Sequence, residues 1–329
     1  MTKPAPATRP DSPPATFSLA GYKPVVISAA ILAAVALFVG LHTEPTPLDW
    51  ASYTRWGAPS SKAIWNGAVW GLVTSSFVHL ASWHLAFNLY WFWIVGRKIE
   101  FERGPLFTLF LLLTAAFASS VAEVSFGGNT GIGLSGVVYA FVGFIWVGAR
   151  FDARFQAFMS SRLLWSFLGW LVLCVVLTLN DVWQVGNAGH IGGLAWGAAL
   201  AWLGTRRRAW RYGLVAGCLG LMSVPILWAP WSVGWLSNRA YNLHVANDLP
   251  VAKHYYQLVL AKDSANEFAH QNLALIQVVE LGQQARNAFE AGDLALGKRL
   301  CQQMVRLEPT NEWALAMLAA DAAPKMLRE

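Results

Sequence analysis

Charged side chains are scarce in this sequence. They make up 13% of its 329 residues, where a soluble domain carries roughly 25%, and this excludes an ordinary cytosolic enzyme. Cysteine is scarce too: Cys174, Cys218 and Cys301 lie in three separate stretches, so neither a disulfide framework nor a CxxC metal spacing arises. No HExxH occurs, which removes zincin chemistry. The first 24 residues hold six prolines and no apolar core, so they form neither a signal peptide nor a transit helix and read as a disordered cytoplasmic tail. What is abundant is apolar and aromatic: 56% hydrophobic residues, with 18 Trp and 18 Phe, the composition selected by a bilayer with two aromatic interfaces.

The formal charge of +6 is unevenly placed. Residues 1–234 carry a net +7 and residues 235–329 a net −1. The basic excess therefore belongs to the apolar part, where it orients loops; nucleic acid is not an expected partner. Seven apolar runs approach the roughly 20 residues that cross a bilayer: 25–41, 78–95, 106–124, 134–148, 163–179, 188–203 and 213–228. With the N-terminus inside, the inner connections collect thirteen Lys and Arg and the outer ones only Arg55 and Lys62. By the positive-inside rule the N-terminus is cytoplasmic, and a tail after seven spans lies outside.

From about Ser237 the sequence returns to helical periodicity with ordinary charge. Two stretches overlay at an offset of 45 residues, aligning Asp248 with Asp293, Ala252 with Gly297 and Asn266 with Asn311. This loosely resembles tetratricopeptide-type repeats, whose usual period is about 34; a plain helical hairpin domain is the other reading.

Three clusters stand out because polar residues at membrane depth are expensive. In FVHLASWHLAFN, His84 and Asn88 are four apart and share a helix face, whereas His79 lies well round the helix. In GIGLSG, Ser135 opens the fourth span between Gly133 and Gly136, where a helix N-terminus directs free N–H groups at its hydroxyl. In NAGHIGGLAWG, Gly189, Gly193 and Gly197 form a smooth stripe, with His190 beside it, that lets another helix approach closely. Taken singly, each has a bland explanation: an interhelical hydrogen bond, a packing serine, a satisfied interfacial histidine. The computed orientation joins them, since the second, fourth and sixth spans all enter from the outer side. Ser135 then meets a base in His190, and His84 with Asn88 supplies donors for an oxyanion beside the Ser135 N–H.

These motifs, His79, His84 and Asn88; Gly133, Ser135 and Gly136; His190, Gly193 and Gly197, resemble those of the rhomboid intramembrane serine proteases, in family order, over roughly residues 25–205. The resemblance implies an all-α membrane bundle of six helices, here with a seventh span and a small soluble helical-repeat domain. It also implies a Ser135–His190 dyad, Tyr139 packed beneath the histidine ring, and an oxyanion site from His84, Asn88 and the Ser135 N–H. The corresponding domains are a tail over 1–24, the catalytic core over 25–205, a seventh span and linker over 206–236 and the helical domain over 237–329. Two departures stand out. The Trp-Arg pair of many relatives corresponds to Trp70-Gly71, without the arginine, and Gly189 stands where Ala usually precedes the histidine.

The expected reaction is attack by Ser135 on a peptide carbonyl, with His190 accepting and then donating the proton. Asp181 reads as a solvated loop acid and not as a third member. No cofactor and no metal are expected. The implied partners are single-span transmembrane substrates, which must unwind to expose a carbonyl, membrane lipids, and a protein that binds the helical tail. The expected location is a bacterial inner membrane, with the tail periplasmic. A transporter would show midplane charges and internal repeats, and neither is seen; a non-catalytic scaffold that binds transmembrane clients is the alternative.

Overall fold

A computed structural model describes residues 21–43, 49–204 and 210–320, all in helices and their connections. The expected tail up to residue 20 and the basic residues 206–208 lie outside the described residues. The helices run α1 (Val25–His42), α2 (Trp50–Arg55), α3 (Ser61–Trp65), α4 (Gly71–Thr74), α5 (Ser82–Arg103), α6 (Pro105–Ala122), α7 (Ser135–Gly148) and α8 (Ala153–Gln156). They continue as α9 (Ser161–Leu179), α10 (Asn187–Gly204), α11 (Trp210–Leu227), α12 (Val233–Val245), α13 (Leu249–Lys262), α14 (Glu267–Glu290), α15 (Leu294–Leu307) and α16 (Glu312–Ala319).

Each expected span coincides with a helix, and the fold is all-α as anticipated. Among the described residues, three helical stretches are long and apolar enough to cross a bilayer by length and composition: Val25–His42, Pro105–Gly127 and Ser161–Leu179. Ser135–Gly148 and Tyr212–Leu227 are shorter apolar helices. The second span differs from expectation. Its helix begins at Ser82, not Val78, and runs on through the charged Arg97, Lys98, Glu100, Glu102 and Arg103. Ala81 is extended (φ −133°, ψ 139°) and caps the helix, so His79 precedes the helix instead of lying round it.

The chain forms two compact units. One takes in the chain up to Ala58, Gly71–Ser120 and Gly131–Leu219; the other takes in Pro59–Trp70, Val121–Thr130 and the chain from Gly220. In the first, α7 is buried along nearly its whole length, as an all-round hydrophobic helix must be. The start of α1 solves a capping problem, because Pro24 offers it no side chain. The buried Glu100 carboxylate instead accepts the backbone N–H groups of Val25 at 2.6 Å, Val26 at 3.1 Å and Ile27 at 3.0 Å. A carboxylate at a helix N-terminus is doubly favoured, by its hydrogen bonds and by the helix dipole. Nearby, Lys98 pairs with Glu102 at 2.7 Å, both nearly buried, and Arg154 reaches Glu102 and Asp152. The Arg154 guanidinium beside Asp152 holds that carboxyl below its ordinary value.

In the second unit, α13 and α15 are each 14 residues long and each is followed by an Asn N-cap. Asn266 accepts from Ala269 N–H at 3.0 Å and Asn311 from Ala314 N–H at 2.9 Å. The 45-residue offset therefore corresponds to two like-capped helix pairs, with α14 long at 24 residues. Two cores fill this unit. One gathers Trp235, Leu236, Tyr256, Val259 and Ile276, with Trp65 packed against it; the other gathers Leu281, Phe289, Leu300, Cys301 and Met304. Burial pushes the Tyr256 hydroxyl up to about 12 and raises the Cys301 thiol.

Candidate active site

The site is built where α7 begins. Ser135 is the first residue of α7, and its Oγ lies 2.8 Å from His190 Nε2. Two residues 55 apart in sequence are thus within direct proton-transfer reach. The contact is made by backbones that almost touch. A Cβ at Gly193 would collide with the Gly136 carbonyl, one at Gly197 with the Ala140 carbonyl, and one at Gly143 with the Leu194 carbonyl. The expected glycine stripe on α10 is therefore real for Gly193 and Gly197, and α7 answers it with Gly136 and Gly143. Gly136 itself faces Ser119 of α6, whose Cβ would stand 2.6 Å from an added methyl. Gly143 and Ser119 were missed by sequence reasoning. The spacing of seven between Gly136 and Gly143 was a readable signal; nothing local marked Ser119.

His190 is buried and its ring is held from one side. The Tyr139 ring lies 4.7 Å away at 30°, and the Tyr139 hydroxyl donates to the Phe167 carbonyl at 3.1 Å. His190 Nδ1 has no partner among the described residues. Asp181 does not supply one: it sits in a left-handed turn (φ 54°) and accepts from Gln184 Nε2 at 3.2 Å. The His190 ring is thus contacted by the Tyr139 ring and by no carboxylate among the described residues.

Opposite the serine, Gly133 adopts φ +101°, and its N–H donates to the Ser75 carbonyl at 3.1 Å. A Cβ there would lie 2.8 Å from His84 Cε1 and 3.3 Å from Asn88 Nδ2. Only glycine fits, on both conformation and space. Asn88 is buried and its Nδ2 has no partner among the described residues. His79 has another task. Its Nε2 accepts the Leu134 N–H at 3.3 Å while its Nδ1 faces the Phe77 carbonyl at 3.2 Å, so the neutral Nδ1–H form satisfies both. His79 thereby pins Leu134, the residue before Ser135. Helix α5 meets α9 through rings, Phe87 with Trp170 at 5.3 Å and Trp91 with Phe167 at 4.8 Å, while Trp83 packs on Trp183 at 4.9 Å.

A serine at a helix start with an imidazole on it, and side-chain donors beside it, are thus set inside an apolar helix bundle. Comparison with known proteins agrees. Residues 66–207 match the rhomboid domain family. The chain is 32% identical over 181 residues to a rhomboid protease GlpG of Serratia proteamaculans, covering 55% of this chain and 62% of that one. It is 30% identical over 191 residues to a rhomboid protease GlpG of Yersinia pestis, covering 56% and 64%. The chain thus carries a region similar to the rhomboid domain over residues 66–207, and it is a multi-pass integral membrane protein. It spans less than two thirds of the length of those relatives.

Proposed function

We propose that the chain is an intramembrane serine endopeptidase that cuts transmembrane helices near the outer membrane face. The observation that carries this reading is the 2.8 Å contact between Ser135 Oγ and His190 Nε2. In the forward step Oγ forms a bond to the scissile carbonyl carbon as its proton passes to His190 Nε2. The carbonyl oxygen becomes an oxyanion facing the Ser135 N–H, Asn88 Nδ2 and His84. Collapse breaks the C–N bond, His190 returns the proton to the leaving amine, and water then hydrolyses the acyl-enzyme by the same proton route. Tyr139 takes over part of the orienting work that a third carboxylate does elsewhere. Its hydroxyl bond to Phe167 fixes the ring against which the imidazole rests.

The substrates are single-span proteins whose helix unwinds to expose a carbonyl, presented by surrounding lipid. The catalytic core covers 25–205, the seventh span and linker 206–236 and the tetratricopeptide-like domain 237–329, which offers a surface for a protein partner. The chain sits in a bacterial inner membrane with its N-terminus cytoplasmic. A periplasmic tail is supported within the second unit: α12 hydrogen-bonds Asn66, which lies in a connection that the charge count assigns to the outer side. Cys301 is buried and is therefore no reporter of sidedness. In cysteine-free protein, Ser264→Cys on the exposed turn before α14 should label with impermeant maleimide on cells with intact inner membranes; labelling only after permeabilisation would place the tail inside.

The test of activity uses purified full-length protein, a single-span substrate and a fluorophosphonate probe. Wild type should cut and label, and Ser135→Ala should do neither with its helicity unchanged. Cleavage surviving in Ser135→Ala, or wild type inert to both, removes the protease reading and leaves the scaffold.

A further inference from the structure

Helix α12 is tied to two short segments far from it in sequence. Asn66 Oδ1 accepts from Asn242 Nδ2 at 2.8 Å and from Asn238 Nδ2 at 3.2 Å, and Asn66 Nδ2 donates back to Asn238 Oδ1 at 3.4 Å. Lys62 Nζ lies 4.0 Å above the Tyr241 ring. Trp65 packs against the core that contains Trp235, Leu236 and Tyr256. At the start of α12, Gly234 makes room: a Cβ there would stand 3.1 Å from Trp65 Cη2 and 3.6 Å from the Gly128 carbonyl.

The segment gripped by α12 in turn grips the chain that runs into the nucleophile. Ser61 Oγ donates to the Gly128 carbonyl at 3.0 Å, and the buried Thr130 Oγ1 donates to the Pro59 carbonyl at 2.6 Å. Thr130 is five residues before Ser135. Between them stand Gly131 and Gly133, the latter at φ +101°, and such a stretch has much freedom to lose. Anchoring its upstream end narrows the positions open to the amides that follow, and oxyanion donors misplaced by about 1 Å cost orders of magnitude in rate.

We infer that α12 braces the serine loop, with Asn66 and Gly234 as positioning residues for the reaction at Ser135. The link runs from α12 through residues 61–66 to Gly128 and Thr130, and then along the covalent chain to the Ser135 N–H. The inference rests on the Ser135–His190 reading of the site, so its test carries one readout that needs no catalysis.

The experiment uses full-length protein in detergent, a single-span substrate, a fluorophosphonate probe and amide hydrogen exchange over residues 128–134. Asn66 and Asn242 are both exposed, so the double variant Asn66→Ala/Asn242→Ala removes hydrogen bonds without opening a core. It should lower kcat about fivefold with KM within about twofold, as the loss of roughly one net hydrogen bond predicts. Fluorophosphonate labelling should fall by the same factor, because that probe uses the donors but no helix docking. Exchange over 128–134 should quicken by a like factor. Gly234→Val should act in the same direction and more strongly. Lys253→Ala, which breaks the pair with Glu280 elsewhere in the same unit, should change none of these. An effect on KM alone would overturn the brace, as would kcat, labelling and exchange all unchanged in the double variant. If Gly234→Val does not fold, the double variant decides. If wild type neither cuts nor labels, the protease reading fails, and the exchange readout still decides for or against the brace.

Discussion

The pair α7 and α10 and the pair α14 and α15 are both packed through glycine, yet the glycines face different things. On α7 and α10 the atoms met are backbone: the carbonyls of Gly136, Ala140 and Leu194. On α14 and α15 they are the ends of side chains. Gly297 meets the Phe289 ring and Gly282 meets Met304 Cε at 3.3 Å. A methionine tip moves aside at little cost, whereas a carbonyl within a helix does not. Where a hydroxyl and an imidazole must sit 2.8 Å apart, separation is set by main chain; where a domain needs only a core, side chains suffice.

The largest effect that tests this contrast is expected from Gly193→Leu. It forces α7 and α10 apart, so destabilisation should exceed about 3 kcal/mol, and folded protein should be lost in thermal unfolding by circular dichroism. Gly169→Ala on α9, with nothing within 4 Å, should leave the melting curve where it was; equal damage from both would end the argument. Next comes Phe289→Ala, which empties the ring site over Gly297 and should cost about 3 kcal/mol, read as faster amide exchange in α14 and α15. A smaller loss follows from removing an Asn cap. Asn266→Ala and Asn311→Ala should each cost about 1 kcal/mol, and values differing more than twofold would contradict the equivalence of the two helix pairs. The smallest concerns the exposed edge of the bundle. Because Arg154 holds the Asp152 carboxyl below its ordinary 3.8, its contribution is complete above that value and is lost as pH falls through the lowered one. Arg154 is about half exposed, so solvent screening leaves about 0.5 kcal/mol; Asp152→Asn should flatten that much of the acid limb of a stability profile.

These contrasts also explain what was legible in the sequence. The proximity of Ser135 to His190, and of His84 and Asn88 to Gly133, was anticipated because each residue lies in a short motif that local spacing makes visible. Asn266 and Asn311 were visible as aligned turn residues for the same local reason, and the structure places each at a helix N-cap. His79 was placed on the helix because the apolar run continues through Val78, and composition does not mark the extended Ala81 that starts the helix later. Ser119 and the Asn66–Asn238 link, 172 residues apart, carry no local signal. They exist only once helices distant in sequence are side by side.

Glu100 caps α1 from about 75 residues downstream, which orders events at the ribosome. When α1 leaves the translocation channel its leading amides have no protein acceptor, and the carboxylate that satisfies them arrives only with the end of α5. Until then the amides of Val25, Val26 and Ile27 lack that acceptor. The arrival of one buried acid converts a loosely inserted segment into a docked one, and a chain truncated before residue 100 never reaches that step.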